Sequence, residues 1–324
     1  MVLVALGIGA LALQIMGPPS KVVSAVPTAV PAPLPPAASQ AVIASALPLG
    51  PIVPPLKSGA VHSPDRALLE PTADPAVMLP RIAADGRTPM RFYAAPFDVA
   101  DARPRIGLLF DGFGLAEGES RDAINTLPSG VTLAFSPYGV HLDALLAAAR
   151  ARGHEYLLSI PMESQGYPLN DAGNHSLLTG ADPAANAQNF TWALGRIEGY
   201  VGATGALDGL RGERFAASTT PFSLVRSDLT ARGLLYVDPR PGTPPSPGMR
   251  AVDLVVDEPA TRADIDDKLA RLEAMAREHG SALGLAGPLR PVTVVHIAAW
   301  ARELDARGLA LAPVSALVSR KDEP

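Results

Sequence analysis

One junction recurs along the chain and limits its fold more than any other feature. "ARGHEYLLSIP" at residues 151–161, "ARGLLYVDP" at 231–239 and "ARGLALAPV" at 306–314 share one grammar, and "REHGSALGLAGP" at 277–288 echoes it. Each starts with basic or polar residues that suit the last turn of a helix. A glycine able to take the left-handed capping conformation follows, and then an apolar run of strand length. Helices therefore feed strands repeatedly.

The segments before these junctions read as amphipathic helices. "HLDALLAAARARG" places Leu142, Leu145, Leu146 and Ala149 on one face, and "TRADIDDKLARLEAMAREHG" does the same with Ile265, Leu269, Leu272 and Met275. Asp143 and Asp264 fall in first turns, where a negative charge is favoured. Strands are expected at 106–110, 131–135, 156–160, near Val201, and at 234–237, 252–255, 282–285 and 311–314. These runs are continuously apolar rather than alternating, the pattern of parallel strands covered on both faces. About eight strands in roughly 220 residues favour an irregular α/β barrel over an open sheet, with function gathered at the strands' carboxyl ends.

Composition divides the chain into three parts. Residues 1–17, "MVLVALGIGALALQIMG", are apolar apart from Gln14 and read as a signal peptide or membrane anchor. Residues 18–100 are rich in Pro and Ala and read as a disordered tether. The organised domain spans 101–320. An anchor and a tether together suit a domain held at the inner membrane on the periplasmic side of a cell envelope. A formal net charge of −5 provides no basic surface for nucleic acid. The absence of cysteine excludes disulfides, thiolate zinc sites and cysteine nucleophiles.

Polar residues follow several strand candidates. Asp111 ends the first, Ser136 and Tyr138 follow the second, Glu163 the third, and Asp238 with Arg240 the fifth. "GFGLAEG" lacks the register of a dinucleotide loop, and no phosphate loop, Gly-x-Ser-x-Gly elbow or His-Glu-x-x-His helix is present. Asp257, Glu258, Asp264, Asp266 and Asp267 read as the solvated entrance of a helix. Five histidines have structural explanations: His62 in the tether, His141, His154 and His279 at helix ends, and His296 inside the last helix. His175 differs, because it lies in a polar loop with Asn170, Asp171 and Asn174.

"LLFDGFG", "LPSGVTLAFSPYG", "ARGHEYLLSIPME", "NHSLLTG", "ARGLLYVDPR" and "ARGLALAPVSAL", in that order, resemble the divergent polysaccharide deacetylase family over roughly residues 105–317. The resemblance implies a distorted β/α barrel in the envelope that removes acetyl groups from N-acetylated sugars, peptidoglycan-like polysaccharides included. It implies a catalytic base at Asp111 and a divalent metal such as zinc, held by a second Asp and two histidines. Those three positions match Gly112, Ala206 and Gly287, none of which has a metal-binding side chain. Tyr138, Glu163, His175, Asp238 and Arg240 would line a sugar site. Two readings stand side by side. One is a hydrolase using Asp111 with Asp238, Glu163 or His175 as substitute ligands. The other is a catalytically silent barrel that binds glycan or an envelope partner.

Overall fold

A computed structural model of the chain describes residues 59–244 and 246–318. A short antiparallel pair, β1 (Leu69–Pro71) and β2 (Met78–Pro80), and one helical turn, α1 (Pro89–Phe92), precede the main body. Then come β3 (Arg105–Phe113), α2 (Glu117–Thr126), β4 (Val131–Phe135), α3 (Leu142–Ala151), β5 (Tyr156–Ser159), α4 (Pro183–Leu194) and β6 (Gly202–Thr204). The chain continues through α5 (Glu213–Ala217), α6 (Thr219–Ala231), β7 (Leu235–Asp238), β8 (Met249–Ala251) and β9 (Leu254–Val255). It closes with α7 (Arg262–His279), β10 (Ser281–Ala286), α8 (Pro291–Ala301) and β11 (Ala310–Leu311).

The strands pair in the order β8-β7-β6-β5-β4-β3-β10-β9, all parallel, and β11 pairs the first residues of β3. The edges β8 and β9 are consecutive pieces of one stretch of chain. Between them the Val252 N–H donates to the Asp238 carbonyl at 2.9 Å and the Asp253 N–H to the Leu283 carbonyl at 2.8 Å. The sheet thus curls into a distorted β/α barrel, as the junctions predict. Each junction glycine has left-handed backbone, with φ of 81° at Gly153, 73° at Gly233, 80° at Gly280 and 72° at Gly308.

Continuous apolar strands follow from burial on both faces. Leu109, Ala134, Leu157, Val237 and Leu285 pack inside the barrel. Leu108, Phe110, Leu133, Phe135 and Leu158 face outward against Leu145, Leu229, Leu272 and Ile297 of the helices. Leu142, Leu145, Leu146 and Ala149 are all buried on α3, as their spacing requires.

Residues 59–100 correct the expected extent of the tether. Val61, Leu68, Tyr93 and Ala95 are buried in the same cluster as the barrel interior, and the Asp65 N–H donates to the Tyr93 hydroxyl at 2.9 Å. Three of the six prolines in this stretch sit at element ends, Pro71 and Pro80 closing strands and Pro89 opening α1 behind its Thr88 cap. The apolar residues between them make the contacts. The apolar amino-terminal segment lies outside the described residues; among the described residues no helix is long and apolar enough to cross a membrane.

Candidate functional site at the carboxyl ends of the strands

Strand alternation carries the inward rows of Leu109, Ala134, Leu157 and Val255 on to Asp111, Ser136, Ser159 and Asp257. With Thr204 at the end of β6 they form a polar layer above an apolar one, and each is at most 1% exposed. Asp111 Oδ2 accepts a 3.3 Å hydrogen bond from the Gly209 N–H, while Oδ1 is buried without a hydrogen-bond partner among the described residues. Burial pushes its pKa up to about 8, and the nearby charges of Asp208 and Asp257 act in the same direction. Asp111 is therefore mainly a neutral acid at pH 7.

One glycine packs against this carboxyl, and the glycine after Asp111 packs against the loop that follows β10. At Gly287, φ is +143°, and a Cβ would lie 1.7 Å from Asp111 Oδ1, so the carboxyl packs directly on the glycine backbone. At Gly112, φ is +89°, and a Cβ would lie 3.1 Å from the Leu289 nitrogen. Ala206 is buried in the barrel interior, its N–H donating to Thr204 Oγ1 at 3.2 Å.

Asp257 corrects its sequence reading as part of a solvated acidic cluster. It is buried, its carboxylate accepting from the Gly287 N–H at 3.2 Å, Thr293 Oγ1 at 3.2 Å and Arg290 Nη1 at 3.3 Å. Burial raises its pKa, and the Gly287 N–H and Arg290 oppose that rise. Its signal was present in the sequence: "LVVD" is an apolar run ending on an acid, the same pattern as "LLFD" and "LYVD". The neighbouring acids of α7 hid it.

The other predicted residues fall into separate groups. Glu163 is buried in a clamp, Oε2 accepting from the Thr179 N–H at 2.5 Å and its hydroxyl at 2.6 Å, and Oε1 pairing with Arg214 at 3.0 Å. Asp238 shares the outward face of β7 with Tyr236 and forms a two-pronged pair with Arg240, at 2.9 and 2.6 Å, beside the Phe222 ring of α6. Tyr138 and His175 meet beyond β4 and β5: the His175 N–H donates to the Tyr138 hydroxyl at 3.1 Å, and the His175 ring stacks on Trp192 of α4 at 3.7 Å. Trp192 and Arg211 were not singled out by sequence reasoning. Among the described residues, no three His, Asp or Glu side chains form a group able to hold a metal ion.

A family model described as divergent polysaccharide deacetylase matches residues 108–318. The chain belongs to the divergent polysaccharide deacetylase family. The crystal structure of an uncharacterised protein from Agrobacterium tumefaciens C58 matches at 34% identity and a TM-score of 0.69, covering 75% of this chain and all of that one. A looser match is the catalytic domain of a peptidoglycan N-acetylglucosamine deacetylase from Eubacterium rectale, at 16% identity and a TM-score of 0.40, covering 67% of this chain and 92% of that one. No curated protein matches the chain. In this divergent polysaccharide deacetylase, Gly287 fills the space directly in front of Asp111, near the carboxyl end of β3.

Proposed function

We propose that this divergent polysaccharide deacetylase acts at the cell envelope as a glycan-recognising barrel, binding N-acetylated strands at its carboxyl-end mouth without metal-dependent deacetylation. The observation that carries this reading is the packing of Asp111 Oδ1 against Gly287. The residues present do not fit a divalent metal. Gly112, Gly209 and Gly287 offer no side chain, Ala206 offers a methyl group, and the Asp257 oxygens are engaged by Gly287, Arg290 and Thr293. Glu163, Asp238 and His175, the substitute ligands, are engaged elsewhere. Without a metal, an attacking water keeps a pKa near ~15.7 rather than ~7, and a general base typically contributes only ~10²–10⁴-fold.

Glycan recognition is supported by family membership and by the half-buried Tyr138, His175 and Trp192 rings beside the mouth, since sugars bind through ring stacking combined with a few fixed polar groups. The envelope location is supported by the apolar first 17 residues and the Pro/Ala-rich stretch after them. The test is purification in zinc- or manganese-containing buffer, followed by metal analysis, acetate release and binding measurements with tetra-N-acetylchitotetraose. Expected are little bound metal, no acetate, and binding weakened several-fold by Trp192→Ala. Stoichiometric metal with acetate release would overturn the proposal.

A further inference from the structure

The mouth is covered. Residues 207–211 follow β6 in a tight turn closed by reciprocal backbone hydrogen bonds between Leu207 and Leu210, both 2.9 Å. Asp208 at the tip is exposed with φ of +50°, and the next residue, Gly209, reaches down to Asp111. On its other side Gly209 abuts Pro288, where a Cβ would come within 3.4 Å of the proline ring. Arg211 then forms an ion pair with Glu258, which follows β9 on the far side of the mouth.

From this arrangement we infer that residues 207–211 form a latched lid, and that release of the Arg211–Glu258 pair admits a ligand to the mouth. The inference rests on the glycan-binding reading for the identity of that ligand. Two features make the closed lid a ready state rather than a permanent plug. First, its polar fastenings are light, and of residues 207–211 only Leu207, at the foot of the turn, is buried. The Gly209–Asp111 hydrogen bond is long at 3.3 Å, and the Glu258 side chain is 47% exposed, so water competes for the ion pair. Second, the closed state leaves polar atoms unpaired. Asp111 Oδ1, Ser159 Oγ and Arg211 Nε are buried with no hydrogen-bond partner among the described residues. Asp111 Oδ1 faces Gly287, whereas the hydroxyl and the guanidinium N–H among them supply donors and an acceptor for a polar ligand. A ligand that pairs with them gains contacts that the closed state lacks. Ala206, buried at the foot of the turn, and Gly212, with φ of +59°, mark the ends about which the tip would swing.

The experiment uses the full chain and its Glu258→Gln variant. It reads amide hydrogen exchange across residues 207–211 and the apparent affinity for tetra-N-acetylchitotetraose. Removing the latch raises the open fraction, so exchange and apparent affinity should both rise by about three- to tenfold. Unchanged exchange, or faster exchange with measurable binding of unchanged affinity, overturns the lid. If exchange is unchanged while both proteins bind the oligosaccharide equally, the lid falls and the glycan reading stands. If exchange rises and neither protein binds it, the latch stands and the glycan reading falls.

Discussion

Asp111 and Glu155 are buried acids at opposite ends of one barrel, and they differ in how fully they are paired. Glu155, just before β5, is completely buried with four hydrogen bonds: from Thr132 Oγ1, the Ser315 N–H and the Ala95 N–H, each 3.0 Å, and from Ser315 Oγ at 2.5 Å. It ties the amino-terminal arm, β4 and the carboxyl-terminal turn to the barrel floor. Asp111 has one long hydrogen bond and an oxygen without a partner. Burial raises the pKa of both. The floor acid is built for stability, because every lone pair facing the protein is used. The mouth acid is left under-satisfied, the condition in which a buried polar group is free to interact with something else.

That contrast is most easily broken at the floor. Glu155→Ala strands Thr132, Ser315 and the Ala95 amide together, and should lower unfolding stability in urea by about 3–5 kcal/mol, whereas Glu155→Gln should lower it by about half as much. A loss below about 1 kcal/mol would mean that the network is not holding the arm. At the mouth, Gly287→Ala should cost about 2–4 kcal/mol, because its Cβ meets Asp111 Oδ1 and its backbone resists a side chain. In a double-mutant cycle, Asp111→Gly should recover part of that loss, and strict additivity would refute the contact.

The two acids also separate by pH. Because the folded-state pKa of Asp111 is about 8, above an ordinary value of 3.8, the folded protein binds more protons than the unfolded chain between those limits. Stability therefore falls as pH rises from ~4 to ~8 and levels off above. Asp111→Asn should remove up to about 1 kcal/mol per pH unit of that slope in urea titrations, while leaving any contribution from Glu155. Identical slopes in the two proteins would place Asp111 in a wetter site. The smallest effect concerns the aromatic group: His175→Ala, which removes the ring stacked on Trp192, should lower the thermal midpoint by an amount equivalent to about 0.5–1.5 kcal/mol.

Much of the molecule was legible in the sequence because its rules are local. The helix-glycine-strand junctions, the buried stripe of α3 and the placement of Asp111 at a strand's carboxyl end depend on residues a few positions apart. Residues 59–100 were misread because proline content signals disorder only when no surface is available to pack against, and the barrel floor supplies that surface. Asp257 was misread because its partners Gly287, Arg290 and Thr293 lie thirty or more positions away. The Glu163 clamp and the outward Asp238–Arg240 pair were seen as polar residues at strand ends, but their direction depends on the strand's face and on the helices beside it.

By itself, then, the sequence determined the parallel β/α architecture and the residue types at the mouth, since hydrophobic periodicity and capping act over a single turn or strand. Only the tertiary structure decided which acids are paired, which are neutral, and that Gly287 packs directly against Asp111. Those properties arise from desolvation and from contacts between segments brought together by the closing sheet, and no local pattern encodes them.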